Sequence, residues 1–86
     1  MSISDGQCRA ARALLGWTQD ELSTKAAVAK KTIADFETGK RQPYDRTLAD
    51  IRAALEGGGV LFIDQNGAGP GVRLRDRAEG DKASSP

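Results

Sequence analysis

Histidine is absent from this 86-residue chain, which removes the commonest general base and the commonest metal ligand together. Cysteine occurs once, as Cys8, so no internal disulfide can form and a reducing, cytoplasmic setting is expected. With one Cys, no His and no clustered carboxylates, neither a zinc site nor a nucleophile–base pair can be assembled. No metal, no cofactor and no enzymatic activity are therefore expected. Cys8 itself falls where a first helix would turn its apolar side inward, and reads as a small buried hydrophobe. Long apolar runs are missing too. Nothing approaches the roughly 18 residues of a membrane span, and MSISDGQ at the start lacks the basic-then-apolar layout of a signal peptide.

Excess charge is also scarce. The formal net charge is +1, so the chain as a whole makes no electrostatic case for a nucleic-acid partner. A local case remains, because Lys25, Lys30, Lys31, Lys40 and Arg41 cluster between positions 25 and 41, opposed there by Asp35 and Glu37. On charge alone, a solvated helix face explains that cluster equally well. What is present is an ordinary globular balance, 29% charged and 38% hydrophobic, at a length that gives one domain with a small core.

The core-forming pattern is helical up to Gly57. Ser4 and Gln7 form an S-x-x-Q capping box, so a first helix should open at about Asp5. It carries Cys8, Ala11, Leu14 and Leu15 on one face and stops at Gly16. In WTQDEL, Thr18 caps, Glu21 answers at the third helical position and Trp17 can staple onto Leu22. That predicts a short second helix, about residues 19–25, with Leu22 and Ala26 inward. A tight segment, Ala26-Ala27-Val28-Ala29, leads to a third helix over about residues 30–38, with Ile33 and Phe36 inward, Gly39 as the stop and Pro43 beyond. A fourth opens near Asp45 or Arg46, carries Leu48, Ile51 and Leu55, and ends at Gly57-Gly58-Gly59. VLFI (60–63), the turn-forming QNGAGPG and VRLR (72–75) then predict a β-hairpin. Residues 76–86 hold almost nothing to bury and are expected to be a disordered tail.

The third helix starts badly. Ala29 cannot cap, which costs about 0.5–2 kcal/mol against Ser, Thr, Asn or Asp. Lys30 and Lys31 place cations at the positive end of the helix dipole, at roughly 0.3–1 kcal/mol each. In a chain otherwise consistent from level to level, such a violation points to a functional position. Drift at a tolerant position is the bland alternative.

A helix, a tight turn and a second short helix form the unit that can seat one helix in a DNA major groove. From Arg12 through TQDELSTKAAVAKKTIADFETGKRQP to Leu55, the sequence resembles the phage-repressor-like (XRE-type) helix-turn-helix family. Thr18, Gln19, Leu22, Val28, Ile33, Glu37, Gly39 and Pro43 sit at the family's offsets. Ala27 stands where the family usually has Gly, Ala29 where it usually has Ser or Thr, and Ser23 where it has a small apolar residue. An Ala27 forced to positive φ would be strained.

The resemblance implies a mainly α fold: a compact four-helix lambda-repressor-like DNA-binding domain (1–58), a β-hairpin extension (59–75) and the tail (76–86). It also implies a sequence-specific DNA-binding transcriptional regulator that reads double-stranded DNA with helix 3. Lys30, Lys31 and Thr32 would meet base edges or phosphate. Asp35 would accept from cytosine N4 or repel wrongly placed phosphates. Gln19 would contact phosphate at the start of helix 2, with Lys40 and Arg41 clamping the backbone. Arg12 and Glu37 match family positions that pair across the bundle, which predicts a buried salt bridge. The alternative is a protein-interaction module, an antitoxin or co-regulator built on the same bundle, with the hairpin docking a protein partner. A homodimer through residues 60–75 is expected, because Val60, Leu61, Phe62 and Ile63 make both faces of one strand apolar. The other option is a monomeric lid, with Leu61 and Ile63 covering the bundle's open end and Phe62 filling a groove.

Overall fold

Helix α1, Asp5–Leu15, begins where its capping box closes. The Gln7 N–H donates to Ser4 Oγ at 3.0 Å and the Ser4 N–H to Gln7 Oε1 at 2.8 Å. The computed structural model that shows this describes residues 3–64 and 69–75; the tail expected at 76–86 and part of the hairpin loop lie outside the described residues. Helix α2, Gln19–Ala26, is opened by the reciprocal pair of Thr18 and Glu21, at 3.0 and 2.8 Å. It runs one residue past the expected end. Helices α3, Lys30–Glu37, and α4, Asp45–Gly57, follow. Strands β1, Val60–Ile63, and β2, Gly71–Leu74, pair antiparallel with Val60 opposite Leu74 and Ile63 opposite Gly71. Strand β2 starts one residue earlier than the alternation around Val72 indicated, because Gly71 already pairs with Ile63.

All four helices and β1 supply the core: Cys8, Ala11, Leu22, Ile33, Phe36, Leu48, Ile51, Leu55, Val60 and Phe62 are buried. Leu14 is a correction. It was expected on the buried face of α1, yet it is 43% exposed. Six residues beyond Cys8, it is turned away by roughly 120° at 3.6 residues per turn, while Leu15 packs on the core. The strand face is a second correction. Val60 and Phe62 point in, Ile63 is exposed and Leu61 is half-buried, the reverse of the lid in which Leu61 and Ile63 covered the bundle. Period-two alternation allows one face or the other, and Val60 is the residue fixed by the end of α4.

A two-stranded hairpin is marginal alone, and this one is bolted to α1. Gln7 Nε2 donates to the carbonyls of Ile63 at 3.1 Å and Gly71 at 3.0 Å, one from each strand. At the other end the Arg75 N–H donates to Gly59 O at 2.6 Å. The Arg52 guanidinium lies 5.3 Å from the Phe62 ring centroid. No helix among the described residues is long and apolar enough to cross a membrane.

Candidate nucleic-acid interface

The turn between α2 and α3 sets the geometry of the site. Ala27 takes the left-handed conformation, φ 57 and ψ 43, as the cap of α2. The Val28 N–H then donates to Ser23 O at 3.1 Å. The Ser23 hydroxyl donates to Val28 O at 2.6 Å. Ser23 thus ties the turn from both its backbone and its side chain, a role its sequence position did not announce. Helix α3 leaves this turn with no side-chain cap at Ala29.

Beneath α3 lies a buried polar cluster. Arg12 Nη2 and Nε donate to Glu37 Oε1 and Oε2, each at 2.7 Å, a two-pronged pair joining α1 to the end of α3. Glu37 is 2% exposed. Its remaining lone pairs accept from Gln19 Nε2 at 3.0 Å and from the Cys8 thiol at 3.1 Å. Arg12 Nη1 also donates to Trp17 O at 2.9 Å, and Arg9 Nη1 donates to the Glu37 carbonyl. Among the described residues no buried side-chain polar atom lacks a partner. Burial opposes the charged form of Glu37. Hydrogen bonds from Arg12, Gln19 and Cys8, with the Arg12 charge, outweigh it and hold the carboxyl below its ordinary pKa. Burial first, then the hydrogen bond and charge of Glu37, push the Cys8 thiol far above its ordinary value against Arg12 and Arg9. Cys8 is a buried donor, not a nucleophile.

Above this anchor stand the residues singled out in the sequence. Lys30 and Lys31 are exposed, Thr32 is half-buried, and the Asp35 side chain is 14% exposed. Both lysines have acidic partners: Lys30 Nζ is 3.2 Å from Asp20 Oδ1 of α2, and Lys31 Nζ is 3.4 Å from Asp35 Oδ2. Lys40 and Arg41 are exposed, and their N–H groups both donate to Asp35 O, at 2.8 and 3.2 Å. Thr32 and Arg41 share a groove of about 700 Å³ with Ala27, Val28, Ala29 and the strongly exposed Tyr44. Gln19 is the outlier. Expected at phosphate, its amide nitrogen donates inward to Glu37. Asp20 and Tyr44 were missed; only the folded turn brings Asp20 to Lys30, and an exposed aromatic at a helix start has no local signature. No group of three His, Cys, Asp or Glu side chains among the described residues could hold a metal ion.

Two short helices crossing through a tight turn, the second with a polar outer face and an anchored inner one, define a helix-turn-helix unit. The helix-turn-helix family model matches residues 9–58, and the chain belongs to the XRE-type, lambda-repressor-like helix-turn-helix family of DNA-binding transcription regulators. No curated protein matches the chain.

Proposed function

We propose that this regulator recognises a specific DNA sequence by seating α3 in the major groove. The observation that carries the reading is the two-sided α3: Ile33, Phe36 and Glu37 are buried while Lys30 and Lys31 project into solvent. Arg12 anchors the end of the helix through Glu37, which supports α3 in place before DNA arrives. Lys30, Lys31 and Thr32 then meet base edges, where a Lys donates to guanine O6 and N7 and a Thr offers a hydroxyl or a methyl. Asp35 accepts from cytosine N4. Lys40 and Arg41 hold the phosphate backbone and fix register. Gln19 reaches phosphate with its amide oxygen while its nitrogen stays on Glu37. The domain acts without catalysis, and two copies joined through residues 60–75 read two half-sites.

Selection of bound sequences from a random DNA pool, repeated at two salt concentrations, tests this. A defined motif should emerge, and Lys31→Ala, Thr32→Ala or Asp35→Ala should shift the preferred base at one position by about 1–3 kcal/mol. Lys40→Ala and Arg41→Ala should weaken binding to all sequences alike. Each should also flatten the salt dependence by a slope of about one, the share of a single phosphate neutralised. A pool that yields no motif, or α3 variants with unchanged preference, removes the major-groove reading and favours the protein-interaction module.

A further inference from the structure

Both lysines at the start of α3 stand beside a carboxylate in the free protein. Lys31 is paired within its own helix, but Lys30 reaches across the turn to Asp20 on α2, 3.2 Å away. That cross-helix pair is exposed on both sides, 56% at Lys30 and 73% at Asp20. Exposed pairs contribute little to folding, and α2 does not need this carboxylate for its start, which Thr18 and Glu21 already cap. Asp20 lies in the first turn of α2, where the helix dipole favours a carboxylate slightly, and it also stands beside Lys30 on the surface proposed to face DNA.

We propose that Asp20 is a specificity-determining residue, a built-in competitor for phosphate that holds Lys30 and weakens binding to DNA of the wrong sequence. The proposal rests on the DNA reading above. In an unmatched complex the contacts are to phosphates, and a phosphate that approaches Lys30 also meets the Asp20 carboxylate. At about 6 Å in water the repulsion of two unit charges amounts to about a threefold loss of affinity. In the matched register α3 is seated deeper, Lys30 leaves Asp20 for a base edge, and the carboxylate is left over the groove. Repulsion aimed at the wrong partner is how a nearly neutral domain separates the two cases.

The test compares wild type, Asp20→Asn and Asp20→Glu on two DNA duplexes, one selected from the random pool and one of scrambled sequence. At about 50 mM salt, where screening is weak, Asp20→Asn should bind the scrambled duplex about two- to threefold more tightly, with a salt dependence steeper by about one. Its affinity for the selected duplex should rise less, so the ratio between the two falls. Asp20→Glu should keep the wild-type ratio. In a Lys30→Ala background the gain from Asp20→Asn should shrink; an undiminished gain there overturns the exchange of Lys30 between Asp20 and DNA. Equal gains on both duplexes, or no gain on either, overturn the proposal while leaving the DNA reading in place. If wild type selects no sequence from the pool, the DNA reading fails and this proposal falls with it. Asp20 is solvent-exposed at the helix surface, and equal thermal midpoints for the three proteins establish that folding is not the variable.

Discussion

Glu37 couples three elements through one carboxylate. Arg12 and Cys8 reach it from α1 and Gln19 from α2, while Glu37 itself ends α3. Removing one member of a buried pair strands the other charge, at roughly 3–5 kcal/mol. Glu37→Gln keeps the shape and removes the charge, and should lie toward the lower end of that range at neutral pH. The pH dependence follows from the depressed carboxyl. A group whose folded pKa lies below its unfolded one stabilises the fold fully above the unfolded value, near 4.5 for Glu, and loses that contribution as pH falls through the folded one. Thermal unfolding of wild type and Glu37→Gln should therefore differ most at pH 7 and converge as acid is added below about pH 4.5. Parallel curves across that window would show that the carboxylate's charge is not what holds α3.

At the scale of elements, the turn and the glycine run carry the local conflicts. Ala27 holds a left-handed conformation that costs an L-residue about 1–2 kcal/mol. Glycine there gives back about 0.4–1 kcal/mol through the unfolded chain, so Ala27→Gly should stabilise the protein by about 0.5–1 kcal/mol. A lower denaturation midpoint for that variant would mean the turn is not strained. The three glycines at the end of α4 are not equivalent. Gly57 is helical with open space where a Cβ would sit, and Gly57→Ala should stabilise by about 0.5–1 kcal/mol. A Cβ on Gly58 would come within 2.7 Å of the Trp17 ring and 2.9 Å of Leu15 Cδ1. Gly58→Ala should cost about 1–3 kcal/mol as the indole is forced off the core. Urea denaturation of the two variants distinguishes packing from helix ending: equal shifts for both contradict the assignment.

These elements also show what could be read in advance. Both capping boxes were legible because their partners lie three residues apart, and the four helices followed from spacing and stops. Leu14 was misplaced because a spacing of six looks periodic while turning off the face. The Gln7 contacts to Ile63 and Gly71 span 56 and 64 residues, so the capping Gln gave no hint that its amide end bolts on the hairpin. Asp20 and Ser23 were opaque for a related reason. Each acts across a turn whose shape depends on Ala27 adopting a conformation that its side chain disfavours.

At the scale of the whole molecule, the DNA reading bears on how many copies act together. In the proposed reading a single α3 presents few side chains to bases, and helix-turn-helix dimers bind two half-sites about 34–36 Å apart. The hairpin provides a surface for that. Its inner face, Val60 and Phe62, is taken up by the bundle, and its outer face carries Leu61 and the 37% exposed Ile63 with Arg73 opposite Leu61. Two-fold contact would bring each copy's Ile63 against the other's outer face, a self-complementary arrangement. The expected outcome is a dimer by sedimentation at micromolar concentration, converted to monomer by Ile63→Glu. That substitution places a charge on the outer face and leaves the buried Val60 and Phe62 untouched, so the thermal midpoint of the monomer should hold within about 0.5 kcal/mol of stability. DNA carrying two half-sites should lose cooperative binding in the same variant, while a single half-site is bound as before. A wild-type protein that sediments as a monomer and binds the paired site without cooperativity would remove the hairpin from any role in assembly.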